Sequence, residues 1–258
     1  MITSPADLAI THEGHVAILE IARPPANYFD RPLIAAIADA LHSFGHDDRT
    51  RVAVLCSQGR HFCAGANFGA TADGEDRASE SVRLYEQGLR LFRSPVPVVA
   101  AVQGAAVGGG LGLACAADFR VASAQTRFWA NFARLGFHAG FGLSASLPRI
   151  VGPQAALRML AAAERVDGER AHTIGLVDRL APAGEERAAA IAYAHELARL
   201  APLAVRSMRH TLREHLADEV AAVLSREASE QAQLWPTADS LEGIAASLER
   251  REPVFTGR

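Results

Sequence analysis

Two runs of small residues, each following a β-branched run, are the parts of this sequence best suited to chemistry. Val52-Ala53-Val54-Leu55-Cys56 leads into Gly59-Arg60-His61-Phe62-Cys63-Ala64-Gly65-Ala66-Asn67. Val98-Val99-Ala100-Ala101-Val102 leads through Gln103 and Gly104 into Ala105-Ala106-Val107-Gly108-Gly109-Gly110. Small side chains after a strand let a ligand touch backbone N–H groups directly. Where a helix begins there, its first N–H groups are unpaired and lie at the positive end of the helix dipole. Two such donors from separate loops can converge on one oxygen and form an oxyanion hole, in which each donor contributes about 3–4 kcal/mol of transition-state stabilisation. Close packing of a small-residue helix on a sheet leaves the same pattern, so the residues alone keep both readings open.

Other chemistries fit less well. All 26 cationic side chains are arginine. Without lysine there is no Schiff base, no covalently held pyridoxal phosphate and no lysine-bearing phosphate loop. No glycine triplet in Gly104 to Gly112 has the i, i+2, i+5 spacing of a dinucleotide fingerprint. Gly142-Leu143-Ser144-Ala145-Ser146 lacks the second glycine of a nucleophile elbow. His12-Glu13-Gly14-His15 is too short for a helical zinc pair, and no metal site is expected. A net charge of -3 argues against nucleic acid as a partner. Three cysteines, Cys56, Cys63 and Cys115, make no disulfide framework, and no export signal is visible from Met1 to Asp7, so a cytoplasmic location is expected.

The elements that position these runs follow from periodicity. Leu8 to Thr11 and Val16 to Ile21 flank Glu13-Gly14 as a hairpin. Leu33, Ile34, Ile37 and Leu41 predict a helix over Arg31 to Ser43, and a second covers Glu80 to Leu91. Strands at Val52 to Cys56 and Val96 to Val102 alternate with these helices, the pattern of an α/β fold with a mostly parallel sheet. The charge-free span from Ser94 to Ala117 is long enough to cross a bilayer. Its two prolines and five glycines divide it instead into a buried strand, a turn and a small-residue helix. After Asp118 to Ala122 strand signals fade, and from about Gly152 the chain reads as helical. Ile191, Ala194, Leu197 and Ala198 share a face, as do Val220, Val223 and Leu224, and Leu241, Ile244, Ala245 and Leu248. Asp239 and Glu242 have capping-box spacing before the last helix.

Taken in order, several segments resemble the crotonase (enoyl-CoA hydratase/isomerase) superfamily across nearly the whole chain. They are Arg23-Pro24-Pro25-Ala26-Asn27, Phe62 to Asn67, Val98 to Gly112 and Asp118-Phe119-Arg120-Val121-Ala122. Gly136 with Gly140, Arg149-Ile150-Val151-Gly152, Gly175-Leu176-Val177-Asp178 and Glu252 to Arg258 follow. The resemblance implies a spiral of ββα units with its oxyanion hole over residues 1–200. It further implies a helical oligomerisation region over residues 201–258, building a homotrimer or homohexamer. The ligand it implies is an acyl-CoA thioester, with coenzyme A as part of the substrate and no separate cofactor. Carried over, the N–H groups of Ala64 and Gly109 bind the thioester oxygen. Gly65, Ala66, Asn67, Gly108 and Phe132 line the ligand, and Pro25 and Ala26 meet adenine. Asn67 stands where an aspartate is usual, and a loop-capping amide explains it equally well. With lysine absent, phosphate contacts fall to arginine.

The same resemblance exposes a departure. Hydratases of this family hold a water between two glutamates, and the corresponding positions here are Gly112 and Phe132. Trp129, Phe132, Phe137 and Phe141 place rings along the implied acyl pocket, although an aromatic stripe is commonly core. Ordinary two-glutamate hydration is therefore not expected. His138 lies in the loop where relatives with other chemistries keep an acid, and an imidazole can serve as acid or base. The alternative for His138 is a loop histidine bonded to backbone. Cys63 reads equally as a small buried hydrophobe, His61 as facing coenzyme or solvent, and Glu80 and Glu86 as remote helix acids.

Overall fold

The hairpin forms as its pattern requires. Strands β1 (Leu8–Glu13) and β2 (Val16–Ile21) pair antiparallel from Leu8↔Ile21 to Glu13↔Val16, and Gly14 takes the left-handed turn conformation at φ 58°. This computed structural model describes residues 7–66 and 77–258. Helix α1 spans Arg31–Ser43, capped by the Asp30 carboxylate accepting from Leu33 N–H at 3.0 Å, with Pro32 in its first turn. Strand β3 (Val52–Ser57), helix α2 (Arg77–Phe92) and strand β4 (Val98–Val102) follow. A short β5 (Ala105–Val107) leads directly into α3 (Gly109–Ala116), and β6 (Phe119–Ser123) returns beside β4. Next come β7 (Arg127–Trp129), a 3-10 turn over Asn131–Leu135, α4 (Leu143–Val151), α5 (Pro153–Ala161), β8 (Arg165–Asp167), α6 (Gly168–Thr173) and β9 (Arg179–Ala181). Helices α7 (Glu186–Ala198), α8 (Pro202–Leu234) and α9 (Ala238–Glu249) complete the chain.

Two sheets result. The larger has the order β1-β2-β3-β4-β6-β9 and is parallel except for the hairpin; the smaller is β5-β7-β8. Both faces of the large sheet are covered, so its strands read as continuous apolar runs. Alternate residues sort to the two sides. Val52, Val54, Val99, Ala101 and Val121 pack on Ala190, Ala194 and Ala198 of α7. Ala53, Leu55, Val98 and Ala100 face the main core with α1, α2 and α3. The alanine-rich stripe of α7 thus lets a helix approach the sheet closely.

Several expectations change. Strands do not stop after Ala122: β7, β8 and β9 are three residues each, too short to show a two-residue alternation, and Arg127, Arg165 and Arg179 stand exposed on them. The last helix is capped by the Thr237 hydroxyl accepting from Ser240 N–H at 3.2 Å, not by a box from Asp239 to Glu242. Those two carboxylates hold the tail instead. Asp239 accepts from Thr256 and Gly257 N–H, and Glu242 from Val254 N–H at 2.8 Å and from Arg251. The bonds to Arg251 and Val254 bring the Glu242 carboxyl down to about 2. On α9, Ile244 packs against the main core while Leu241 and Leu248 are exposed, so that stripe is only partly covered among the described residues. No described helix is long and apolar enough to cross a membrane.

Candidate active site

The two small-residue runs come together because a short parallel pairing joins them. Phe62 N–H donates to Gln103 O at 2.9 Å, Cys63 N–H to Ala105 O at 3.2 Å, and Val107 N–H to Cys63 O at 3.0 Å. Gly108 then takes φ 55°, its N–H bonded to Trp129 O at 2.8 Å, and α3 begins at Gly109. The approach needs glycine. A Cβ on Gly110 would lie 2.1 Å from Cys63 O, and one on Gly65 would lie 3.3 Å from Gly109 N.

Which N–H groups remain free is decided by bonding. Ala64 N–H donates to Ala26 O at 2.9 Å, so the expectation that Ala64 supplies a free donor is corrected. Gly65, at φ 97°, turns the chain and donates weakly to Cys63 Sγ at 3.4 Å. Among the described residues, Ala66 and Gly109 N–H have no acceptor, and both residues border one cavity. Ala66 therefore takes the place given to Ala64 in the pair.

That cavity has a volume of about 360 Å³. Phe29, Leu84, Tyr85, Phe132, Phe137 and Phe141 are among its apolar lining. The rings meet edge-on or tilted: Phe29–Phe141 at 5.2 Å, Phe132–Phe137 at 6.0 Å and Tyr85–Phe141 at 6.4 Å between centroids. Its polar side chains are Ser81, Asn131, Gln231 and Ser247, with the tyrosines Tyr28 and Tyr85. Tyr85 donates to Gln231 Oε1 at 2.7 Å, and Gln231 Nε2 donates to His138 O at 2.9 Å. Burial pushes the Tyr85 phenol well above its ordinary range, which keeps it a neutral donor. Gly112, at the middle of α3, faces Phe141: a Cβ there would stand 2.9 Å from Phe141 Cβ.

The other predicted site residues sort as follows. Ala64, Gly65, Ala66, Gly108, Gly109 and Phe132 line the cavity. Pro25 and Ala26 do not; their loop braces Ala64 through the Ala26 carbonyl. Asn67 lies outside the described residues. His138 is not part of the lining, because its Nδ1 sits 2.7 Å from Ala139 O and its own carbonyl is held by Gln231, turning the ring away. Trp129 also points elsewhere, donating to Ala163 O at 2.9 Å with Arg165 stacked 3.9 Å from its ring centre. Cys63 is fully buried, and burial pushes its thiol up to about 12, so it is no nucleophile at neutral pH. Among the described residues no group of three His, Cys, Asp or Glu is placed to hold a metal.

One buried acid escaped the sequence reading. Glu227 accepts from Gly142 N–H at 2.8 Å and Ser144 N–H at 2.9 Å, closing the start of α4 immediately behind Phe141. The available signal was its place among Val220, Leu224 and Gln231, all on the buried stripe of α8. Burial raises its pKa, against the lowering effect of those hydrogen bonds and of His138. A raised carboxyl pKa means that the folded state binds its proton more tightly than the unfolded chain. Its contribution to stability therefore falls as pH rises from the ordinary carboxylate value through the folded one. Glu227→Gln is expected to flatten that slope. In a melting-temperature series from mildly acidic to neutral pH, variant minus parent should increase with pH; a constant difference would show that the group does not titrate in this way.

Comparison with known proteins gives one consistent relationship. The family profile described as enoyl-CoA hydratase/isomerase matches residues 11–258. A probable enoyl-CoA hydratase of Rhodobacter capsulatus is 34% identical over 246 residues, covering 94% of this chain and 95% of that protein. The 2,3-dehydroadipyl-CoA hydratase of Escherichia coli is 30% identical over 254 residues, covering 98% and 100%. Among solved structures, an enoyl-CoA hydratase/isomerase from Pseudoalteromonas atlantica superposes with a TM-score of 0.85 at 30% identity, over 97% of this chain and 100% of that one. The mixed sheet with a helical C-terminal part is the crotonase-like architecture.

Proposed function

This chain belongs to the enoyl-CoA hydratase/isomerase family, and from that premise we propose that it binds an acyl-CoA thioester with the carbonyl oxygen between Ala66 and Gly109 N–H. The observation that carries this is the pair of unbonded donors opening on one aromatic-walled cavity. As the α-carbon becomes nucleophilic, charge gathers on that oxygen, and donors fixed beforehand stabilise it without reorganisation. The Gly109 donor also begins a helix, so its dipole favours the same charge. Coenzyme phosphates meet arginine, the only cationic side-chain type other than histidine in the sequence. The exposed Leu203, Leu212 and Leu248 fit an oligomerisation role for residues 201–258, in a homotrimer or homohexamer.

The reaction is an enolate-forming one other than two-glutamate hydration: double-bond isomerisation, decarboxylation, carbon–carbon cleavage, or hydration by a rearranged acid/base set. Gly112 and Phe132 stand at the two glutamate positions, and neither holds a water or moves a proton. A second reading, acyl-CoA binding with little turnover, is favoured by the absence of a carboxylate or imidazole from the described cavity lining. Product analysis by mass spectrometry across enoyl-, malonyl- and β-ketoacyl-CoA separates the two, with crotonyl-CoA as the hydration control. The expected result is no hydration of crotonyl-CoA and a bound enolate absorption band with a β-ketoacyl-CoA. Prompt hydration of the control would overturn the reading of Gly112 and Phe132.

A further inference from the structure

We propose that the cleft between the end of α2 and the first half of α8 binds a small oxyanion of the phosphate class, separately from the acyl cavity. Arg206, Arg209 and Arg213 are three and four residues apart, which sets them on one face of α8. They face Phe92, Ser94 and Pro95 across a cleft of about 540 Å³. Beneath them lies a single carboxylate: Asp118 accepts from Arg209 Nε at 2.8 Å and pairs with Arg213 Nε at 3.1 Å. Arg206 donates to Thr50 O at 2.9 Å and Phe44 O at 3.3 Å. Arg209 also donates to Ser94 O, and Arg213 to Ala116 O at 2.6 Å.

These partners leave donors over. Arg206 Nε, Arg209 Nη2 and Arg213 Nε are buried donors with no hydrogen-bond partner, against the one acceptor Asp118 Oδ1 in the same position, and the Arg209 side chain is only 10% exposed. A buried cationic donor without a partner is costly, and one carboxylate does not compensate three guanidinium groups. The rim acids are turned to other cations: Asp218 is 3.4 Å from Arg93, and Glu214 is 3.6 Å from His210. Guanidinium forks match the spaced oxygens of a tetrahedral oxyanion, whose charge would balance the cationic excess of the cleft. The cleft shares no lining residue with the acyl cavity. It lies at the opposite end of α3, where Arg213 holds Ala116 O, about 10 Å along the helix from Gly109.

The test is calorimetric titration of the full-length protein with inorganic phosphate at constant ionic strength, with and without saturating acyl-CoA. Saturable binding that acyl-CoA leaves unchanged is expected, weakened at least tenfold in Arg206→Gln while acyl-CoA affinity stays at the parent value. Arg209→Met is the stronger perturbation, but it also frees Asp118 and can fail to fold; Arg206→Gln keeps the test decisive. Three results each overturn the proposal: no saturable phosphate binding by the parent, binding unaffected by Arg206→Gln, or displacement of phosphate by acyl-CoA. The last would assign the cleft to the coenzyme's own phosphate.

Discussion

Gly112→Glu should unfold the protein at temperatures where the parent is stable, and Phe141→Gly should restore folding in the double variant. A Cβ at position 112 would lie 2.9 Å from Phe141 Cβ and 3.0 Å from its Cδ1. Rotating the ring does not relieve a contact made at Cβ, because that atom moves only with the backbone. Nor is there free space beside it. Phe141 is 2% exposed, and its ring also approaches Gly88 and Phe29. Overpacking of this kind costs about 1–3 kcal/mol for extra methylenes alone, and a carboxylate lodged in the core adds several more. Phe141→Gly removes that Cβ and suits the φ of 60° at this position; by itself it should cost about 3–5 kcal/mol as a cavity. Together the two volume changes offset, so the double variant should be more stable than the sum of the single effects predicts. Urea unfolding of the four proteins measures this, and a Gly112→Glu single variant as stable as the parent would sink the argument.

The same experiment bears on chemistry. Adding Phe132→Glu to the double variant supplies carboxylates at both positions that hydratases of the family use. Crotonyl-CoA hydration arising in that triple variant, and in none of the others, would tie the proposed lack of hydration to Gly112, Phe132 and Phe141 as one unit. The ring at 141 and the glycine at 112 are then two halves of a single change, since neither tolerates the other's reversal alone.

Much of the frame was legible because it rests on local rules. The bounds of α1 follow from Asp30, Pro32 and the spacing of Leu33, Ile37 and Leu41, and the hairpin from Glu13-Gly14. Both small-residue runs stood out by composition. What composition does not give is the direction of each N–H. Ala64 and Ala66 are chemically identical neighbours of Gly65, yet one is bonded to Ala26 and the other is open to the cavity. That choice depends on the turn at Gly65 and on a partner nearly forty residues earlier in sequence. His138 failed for a related reason. Its loop position was right for the site, but a contact with the adjacent carbonyl decides where the ring goes. The Gly112–Phe141 contact is likewise a tertiary fact, joining residues of α3 and the start of α4 that share no local pattern.

Gly110→Ala should abolish both thioester binding and a large part of the stability, although alanine normally favours a helix over glycine by about 1 kcal/mol. The atoms it would meet are Cys63 O at 2.1 Å and Cys63 C at 2.7 Å, both backbone. They belong to the other loop of the site and are held by Val107 N–H at 3.0 Å. No side-chain rotation relieves the contact, so the two loops must part by roughly an ångström. Oxyanion donors act within a window of about 2.7–3.1 Å, and loss of one donor costs about 10²–10³-fold. Separation on this scale removes one of the Ala66 and Gly109 contacts entirely. Gly109→Ala offers the comparison, because its Cβ would meet the tip of the Phe29 ring at 2.6 Å, a side-chain atom and not the backbone of the other loop. The expected order of damage is therefore Gly110→Ala well above Gly109→Ala, read from melting temperature and from the enolate band of a bound β-ketoacyl-CoA. Parent-like affinity and an undiminished band in Gly110→Ala would mean that the charge is stabilised somewhere other than between these two loops.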